Sequence, residues 1–390
     1  MKTTWSILLG LLLPAAPAAV QAQFIYTTNS GAITLYQYTG GGGAVVISNF
    51  VNSIGQQSFS FCTSLTSVTI PGSVAGIGDY AFYGCSNLAG LTISSGVAAI
   101  GQQVFQGCTN LASVAIPVSA TSIGAFAFAC CSNLASAAIS GGVTNMANQF
   151  YGCTNLQSVT IDNGVTTVGV GEFLDFASLA SVTIPDSVTS IASNAFAWTG
   201  LTRVAIPGSV AAIGDYAFYK CPNLATLTLS NGVASLGQGA FSYCASLTSV
   251  TIPNSVTGIG DYAFDFCSDL TGLYFQGNAP AADSTVLFLD TTTNYFLPDT
   301  GGWSNTFAGR PAVPWNPLIQ TGGSFGVQGT QFGFNIAGTA GIPIVVEACA
   351  NLASPVWVPL ATNTLTGGLF SFSEPLPANS PARFYRIRSP

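Results

Sequence analysis

Ten phenylalanines recur in this sequence at steps of 23 or 22 residues: Phe59, Phe82, Phe105, Phe128, Phe150, Phe173, Phe196, Phe218, Phe241 and Phe264. Around each runs one pattern, complete at Leu247, Val250, Ile252, Pro253, Ser255, Val256, Ile259, Gly260, Ala263, Phe264 and Cys267. A fixed period in this range specifies a solenoid. The Leu-x-x-Val-x-Ile segment alternates as a short strand with one buried face, and proline with a following turn residue ends it. One copy cannot bury its own apolar side. Stacked copies can, because each coil lays its Leu, Val, Ile and Phe on their equivalents in the neighbours and the strands form a parallel ladder. The segment from Ile-Gly to Cys is too short for a long helix and reads as a second extended piece plus a tight helical turn.

The chain divides around this array. Residues 1–22 carry Lys2, an apolar run from Trp5 to Leu13 and small residues up to Ala22. That order matches a secretory signal peptide with cleavage expected after Ala22, and its apolar run is too short to span a membrane. Residues 23–47 hold two alternating runs around glycine-rich turns, expected as a β cap on the first coil. The repeats occupy 48–275. In 276–321 the pattern gives way to a C-terminal cap with Trp303, Phe307 and Trp315 and a Pro-rich linker. Residues 322–390 contain five short alternating segments, expected as a small all-β sandwich.

Composition suits an exported protein: 5% of residues are charged, 48% are hydrophobic and histidine is absent. The net charge is −7, and −8 without Lys2. A chain so poor in Lys and Arg cannot neutralise phosphates, so neither nucleic acid nor an anionic membrane is the expected partner. Lack of histidine removes Ser-His-Asp and Cys-His catalysis. Asp79, Asp215 and Asp261 follow Ile-Gly in three copies, but Gln56, Gln102, Asn148, Ser193 and Gln238 share the column, as suits a turn position. Asp265 and Asp269 lie close to Asp261, and an extracellular glycan-active hydrolase built on them is a less favoured reading. No catalytic residue, cofactor or metal is expected.

Eight of ten cysteines share one column: Cys62, Cys85, Cys108, Cys131, Cys153, Cys221, Cys244 and Cys267. Phe176 fills it in another copy, and the copy with Trp198 and Gly200 reads as lacking it through a one-residue deletion. A column that accepts Phe is apolar, which favours buried thiols over disulfides; parallel side chains do not face each other as a disulfide requires.

Two surfaces are candidates for binding. The outward residues of the strands form a strip of Ser, Thr and Ala broken by Arg203 and ending in Tyr274. Aromatic residues gather on the other side of the coil, where Trp198, Tyr216, Tyr219, Tyr243, Tyr262 and Phe266 either form an exposed patch or cover the core. Binding hot spots are rich in Trp, Tyr and Arg, which the strip mostly lacks.

The Ile-Pro-x-Ser-Val, Ile-Gly and Ala-Phe-x-x-Cys signatures closely resemble the BspA-like leucine-rich repeats of bacterial secreted and surface proteins, from about Val45 to Asn316. The resemblance implies a curved, non-enzymatic leucine-rich-repeat solenoid, on proteins that in some cases bind host or matrix proteins or other cells, but it supplies no partner; an extracellular protein or glycan is the expected one. The C-terminal segment, with Arg-Phe-Tyr-Arg at Arg383 to Arg386, resembles a β module that trails exported bacterial repeat proteins. A surface or matrix component with no specific ligand is the alternative.

Overall fold

A computed structural model describes residues 24–140, 142–143, 145–146, 148–287, 291–322, 325–375 and 383–388. The leader expected over 1–22 lies outside them. The alternating Val and Ile of each copy form strands paired in parallel and in register, as Ser158–Ile161 does with Ser136–Ile139 on one side and Ser181–Thr183 on the other. The Ile-Gly segments form a second parallel ladder of two-residue strands, such as Ser190–Ile191 between Thr167–Val168 and Ala212–Ile213. At the start, the hairpin Phe24–Asn29 with Ala32–Tyr38 joins this second ladder through Ser53–Ile54.

The tight helical turn expected after Ile-Gly does not form, and no helix is present among the described residues. In a helix every N–H bonds four residues back within the same segment. Here alternate N–H groups leave the coil. Those of Ala81, Tyr83 and Cys85 bond the carbonyls of Gly78, Tyr80 and Phe82, whereas those of Tyr80, Phe82 and Gly84 bond Gln102, Val104 and Gln106 of the next coil. Tyr80 (φ 59°) and Gly84 (φ 69°) are left-handed, which breaks any helical run. The result is a third set of bonds between coils.

Inside, the ten phenylalanines stack ring on ring at 4.6 to 6.4 Å and are essentially inaccessible to water. The repeat's polar residues serve the stacking too. Ser187, Ser209 and Ser255 donate to the carbonyls of Val165, Val188 and Val233 one coil back, at 2.7 to 2.8 Å. Asp79 Oδ1 accepts from Gln102 N at 2.8 Å and Asp215 Oδ1 from Gln238 N at 2.9 Å.

None of the ten cysteines is in a disulfide. Each column thiol from Cys85 onward lies against the phenylalanine carbonyl of the preceding coil, as Cys85 with Phe59 at 3.1 Å and Cys267 with Phe241 at 3.2 Å. The copy with Trp198 keeps the column after all. Thr199 stands there, buried, its hydroxyl donating to Phe196 O at 2.9 Å, so the missing residue comes from the turn that follows. Burial pushes the Cys85 thiol up to about 12. Titration with a thiol reagent is therefore expected to modify at most Cys62 and exposed Cys130 in the native protein, and all ten in denaturant. Eight fast-reacting native thiols would refute the buried column.

The strand ladder runs two rungs beyond the last copy, through Thr293–Phe296 and Arg310–Pro314. The Pro-rich stretch is thus partly a strand of the sheet instead of a linker; Asn294 Nδ2 ties it down through the carbonyls of Phe307 and Pro311. Beyond it, two antiparallel sheets built on Gln331–Ala337 and Pro343–Cys349 enclose a small core of Phe334, Ile336, Ile344, Val346 and Phe372. The arginines of the last strand are not free charges: Glu347 accepts from Arg386 and Arg388, each at 2.7 Å.

Candidate functional site

The run of turns presents two left-handed positions in every coil, two residues before and two residues after the stacked phenylalanine. A left-handed backbone costs an L-residue about 1 kcal/mol or more and glycine almost nothing. Three coils meet the second position with Gly84, Gly107 and Gly152. The other seven hold Phe61, Cys130, Asp175, Trp198 (φ 61°), Lys220 (φ 53°), Tyr243 (φ 62°) and Phe266 (φ 58°) there, the last four in consecutive coils. Tyr216 and Tyr262 occupy the first position, and Tyr219 directly follows a stacked phenylalanine.

These side chains form one connected band. Tyr219 meets Trp198 edge-on at 6.1 Å and Tyr243 at 5.5 Å, and Tyr243 stacks on Phe266 at 4.3 Å. Lys220 Nζ lies 4.0 Å from the Trp198 ring centre and 5.4 and 5.2 Å from those of Tyr219 and Tyr243. A cation over aromatic faces is held electrostatically. Trp198 is 46% exposed, Phe266 39% and Tyr262 38%, so the band does not merely cover the core.

The structure thus brings together Trp198, Tyr219, Tyr243 and Phe266, with Tyr216 against Tyr219 at 5.6 Å. Tyr262 shares their side of the coil. Arg203 and Tyr274 stand apart. Arg203 is exposed on the strand ladder, and Tyr274 is buried at the ladder's end, stacked on Tyr295 at 4.8 Å. The Ser, Thr and Ala strip forms only a shallow depression around Ser136 and Ala138. Asp265 is buried, while Asp261 and Asp269 are exposed. Sequence reasoning missed Lys220. Its signal was its column, shared with Trp198 and Tyr243, and its standing as the one lysine after Lys2.

The model of the BspA type leucine rich repeat region matches residues 35–151 and 146–271, more than half of the chain. This protein belongs to the BspA-type leucine-rich repeat family. Among solved structures, this BspA-type chain is similar to a leucine-rich repeat protein from Bacteroides ovatus at 21% identity, covering 77% of this chain and 91% of that one with a TM-score of 0.48. A leucine rich cell surface protein from Faecalibacterium prausnitzii is 26% identical, with 77% and 95% covered and a TM-score of 0.41. A leucine rich repeat protein from T. pallidum is 26% identical, with 60% and 90% covered and a TM-score of 0.36. No curated protein matches the chain.

Proposed function

We propose that this BspA-type protein is a non-enzymatic binding module that works outside the cell and recognises an extracellular protein through its turn face. One observation carries the reading. Four successive coils hold Trp198, Lys220, Tyr243 and Phe266 at left-handed positions where glycine, used elsewhere in the same column, strains nothing. Backbone strain retained under exposed or half-exposed side chains points to function. Trp and Tyr are also the residue types that dominate binding energy at protein interfaces. The leader-like residues 1–22 and the family's secreted and surface members support an extracellular setting.

The backbone supplies its own control. Trp198→Gly and Tyr243→Gly keep the left-handed conformation and relieve its strain, so melting temperature is expected to stay within a few degrees. Against a panel of purified extracellular proteins, both variants are expected to lose about tenfold or more in affinity for whichever protein the parent binds. A folded, monodisperse parent that binds none of them, or variants that bind as the parent does, would overturn the proposal.

A further inference from the structure

Where the strand ladder meets the C-terminal sheets, the surface forms an open pocket of about 540 Å³ whose walls include Asn254, Tyr274, Gln276, Tyr295, Trp315 and Arg388. That volume falls within the range of small-ligand sites, which concentrate at junctions between structural units. The residues here depart from the repeat. Thr228 and Thr251 occupy the outward strand column in the preceding coils, and the next two rungs put Tyr274 and Tyr295 in it, stacked within 11° of parallel. Gly272 makes room for them: a Cβ there would lie 3.0 Å from the Tyr274 ring. The opposite wall is held in place. Trp315 Nε1 donates to Pro343 O at 3.0 Å and Arg388 Nε to Glu347 Oε1 at 2.7 Å.

We propose that this pocket binds a neutral oligosaccharide. The half-buried rings of Tyr295 and Trp315 offer flat apolar surface for the C–H faces of a sugar ring, and the Asn254 and Gln276 amides each provide a donor and an acceptor suited to hydroxyl groups. Arg388 is ion-paired to Glu347, which it shares with Arg386, so its guanidinium is already engaged within the wall. A purely apolar ligand would leave the amides without partners. An extended peptide has no sheet edge to join, because Gly272–Phe275 is flanked by Ser249–Ile252 and Thr293–Phe296, and Thr293–Phe296 in turn by Arg310–Pro314. The site lies on the ladder side of the coil, so it stands or falls independently of the turn face.

Calorimetric titration of the full chain with cellohexaose, xylohexaose, maltohexaose and mannohexaose, and with a proline-rich decapeptide, tests the assignment. One hexasaccharide is expected to bind saturably. Asn254→Ala and Gln276→Ala, both at exposed positions, are expected to weaken it tenfold or more with unchanged melting, whereas Trp198→Gly leaves it intact. The proposal fails if no hexasaccharide binds, if both alanine variants bind as the parent does, or if only the peptide binds.

Discussion

Glu172→Ala is expected to stabilise the array at pH 7 by about 3 kcal/mol and to flatten its dependence on pH. Glu172 is 1% exposed, and among the described residues neither carboxyl oxygen has a hydrogen-bond partner. Burial pushes its pKa up to about 8 from the ordinary 4.5; the nearby backbone of Asn148 and Gln149 pulls the other way without overcoming it. The sign follows from the proton count. Between the two values the folded protein keeps a proton that the unfolded chain has lost, so stability falls as pH rises from about 4.5 to about 8. Below that window both states are protonated and the penalty vanishes. Alanine fits, since Ala81, Ala127, Ala195, Ala217, Ala240 and Ala263 hold the same column. The coil before carries Gln149 there, and between these two long side chains the phenylalanine stack opens to 6.4 Å. Thermal melts at pH 5 and pH 8 decide the matter: the gain should appear at pH 8 and nearly disappear at pH 5, with Glu172→Gln equally flat across the range. An equal gain at both pH values would remove the carboxyl's charge from the explanation.

Phe241→Ala is expected to cost about 3 to 5 kcal/mol, the range for truncating a large aromatic core residue. Its ring stacks on Phe218 at 5.3 Å and on Phe264 at 5.5 Å. Bonds between coils on all three sides keep the spacing, so the neighbours cannot close the gap. A repeat contacts only its neighbours, so the damage stays local. Amide exchange should speed up first in the coils centred on Phe218, Phe241 and Phe264, with distant coils protected as before. Unchanged melting and exchange would show that the stacked rings contribute little to stability.

The sequence was most legible where the side chain reports its own environment. Period, strand alternation, the phenylalanine core and the turn role of Asp79 and Asp215 follow from which residue types share a column. Thr199 was harder to place, since a deletion can be assigned to either side of it until its hydroxyl is seen at the Phe196 carbonyl. The turn segment was misread for a different reason. Half of its N–H groups bond the next coil, and a local reading has no access to partners 22 residues away.

The same divide runs through the binding surfaces. That Trp198, Tyr243 and Phe266 share a column was visible, but both their exposure and their strain depend on left-handed backbone that the stacked coils impose. Lys220 joins them because coiling brings residues 22 or 23 apart to within about 5 Å. Tyr274 looked like the end of an exposed strip, and became buried once Tyr295 stacked on it. Asn254 fills an ordinary turn position of the repeat, and Tyr295, Trp315 and Arg388 lie beyond the repeats, so no spacing announces the pocket they line. The repeated sequence determined the coil and its core by itself, since each coil meets only copies of itself. The surfaces were decided by tertiary structure, because they arise where coils differ from one another or where the array ends.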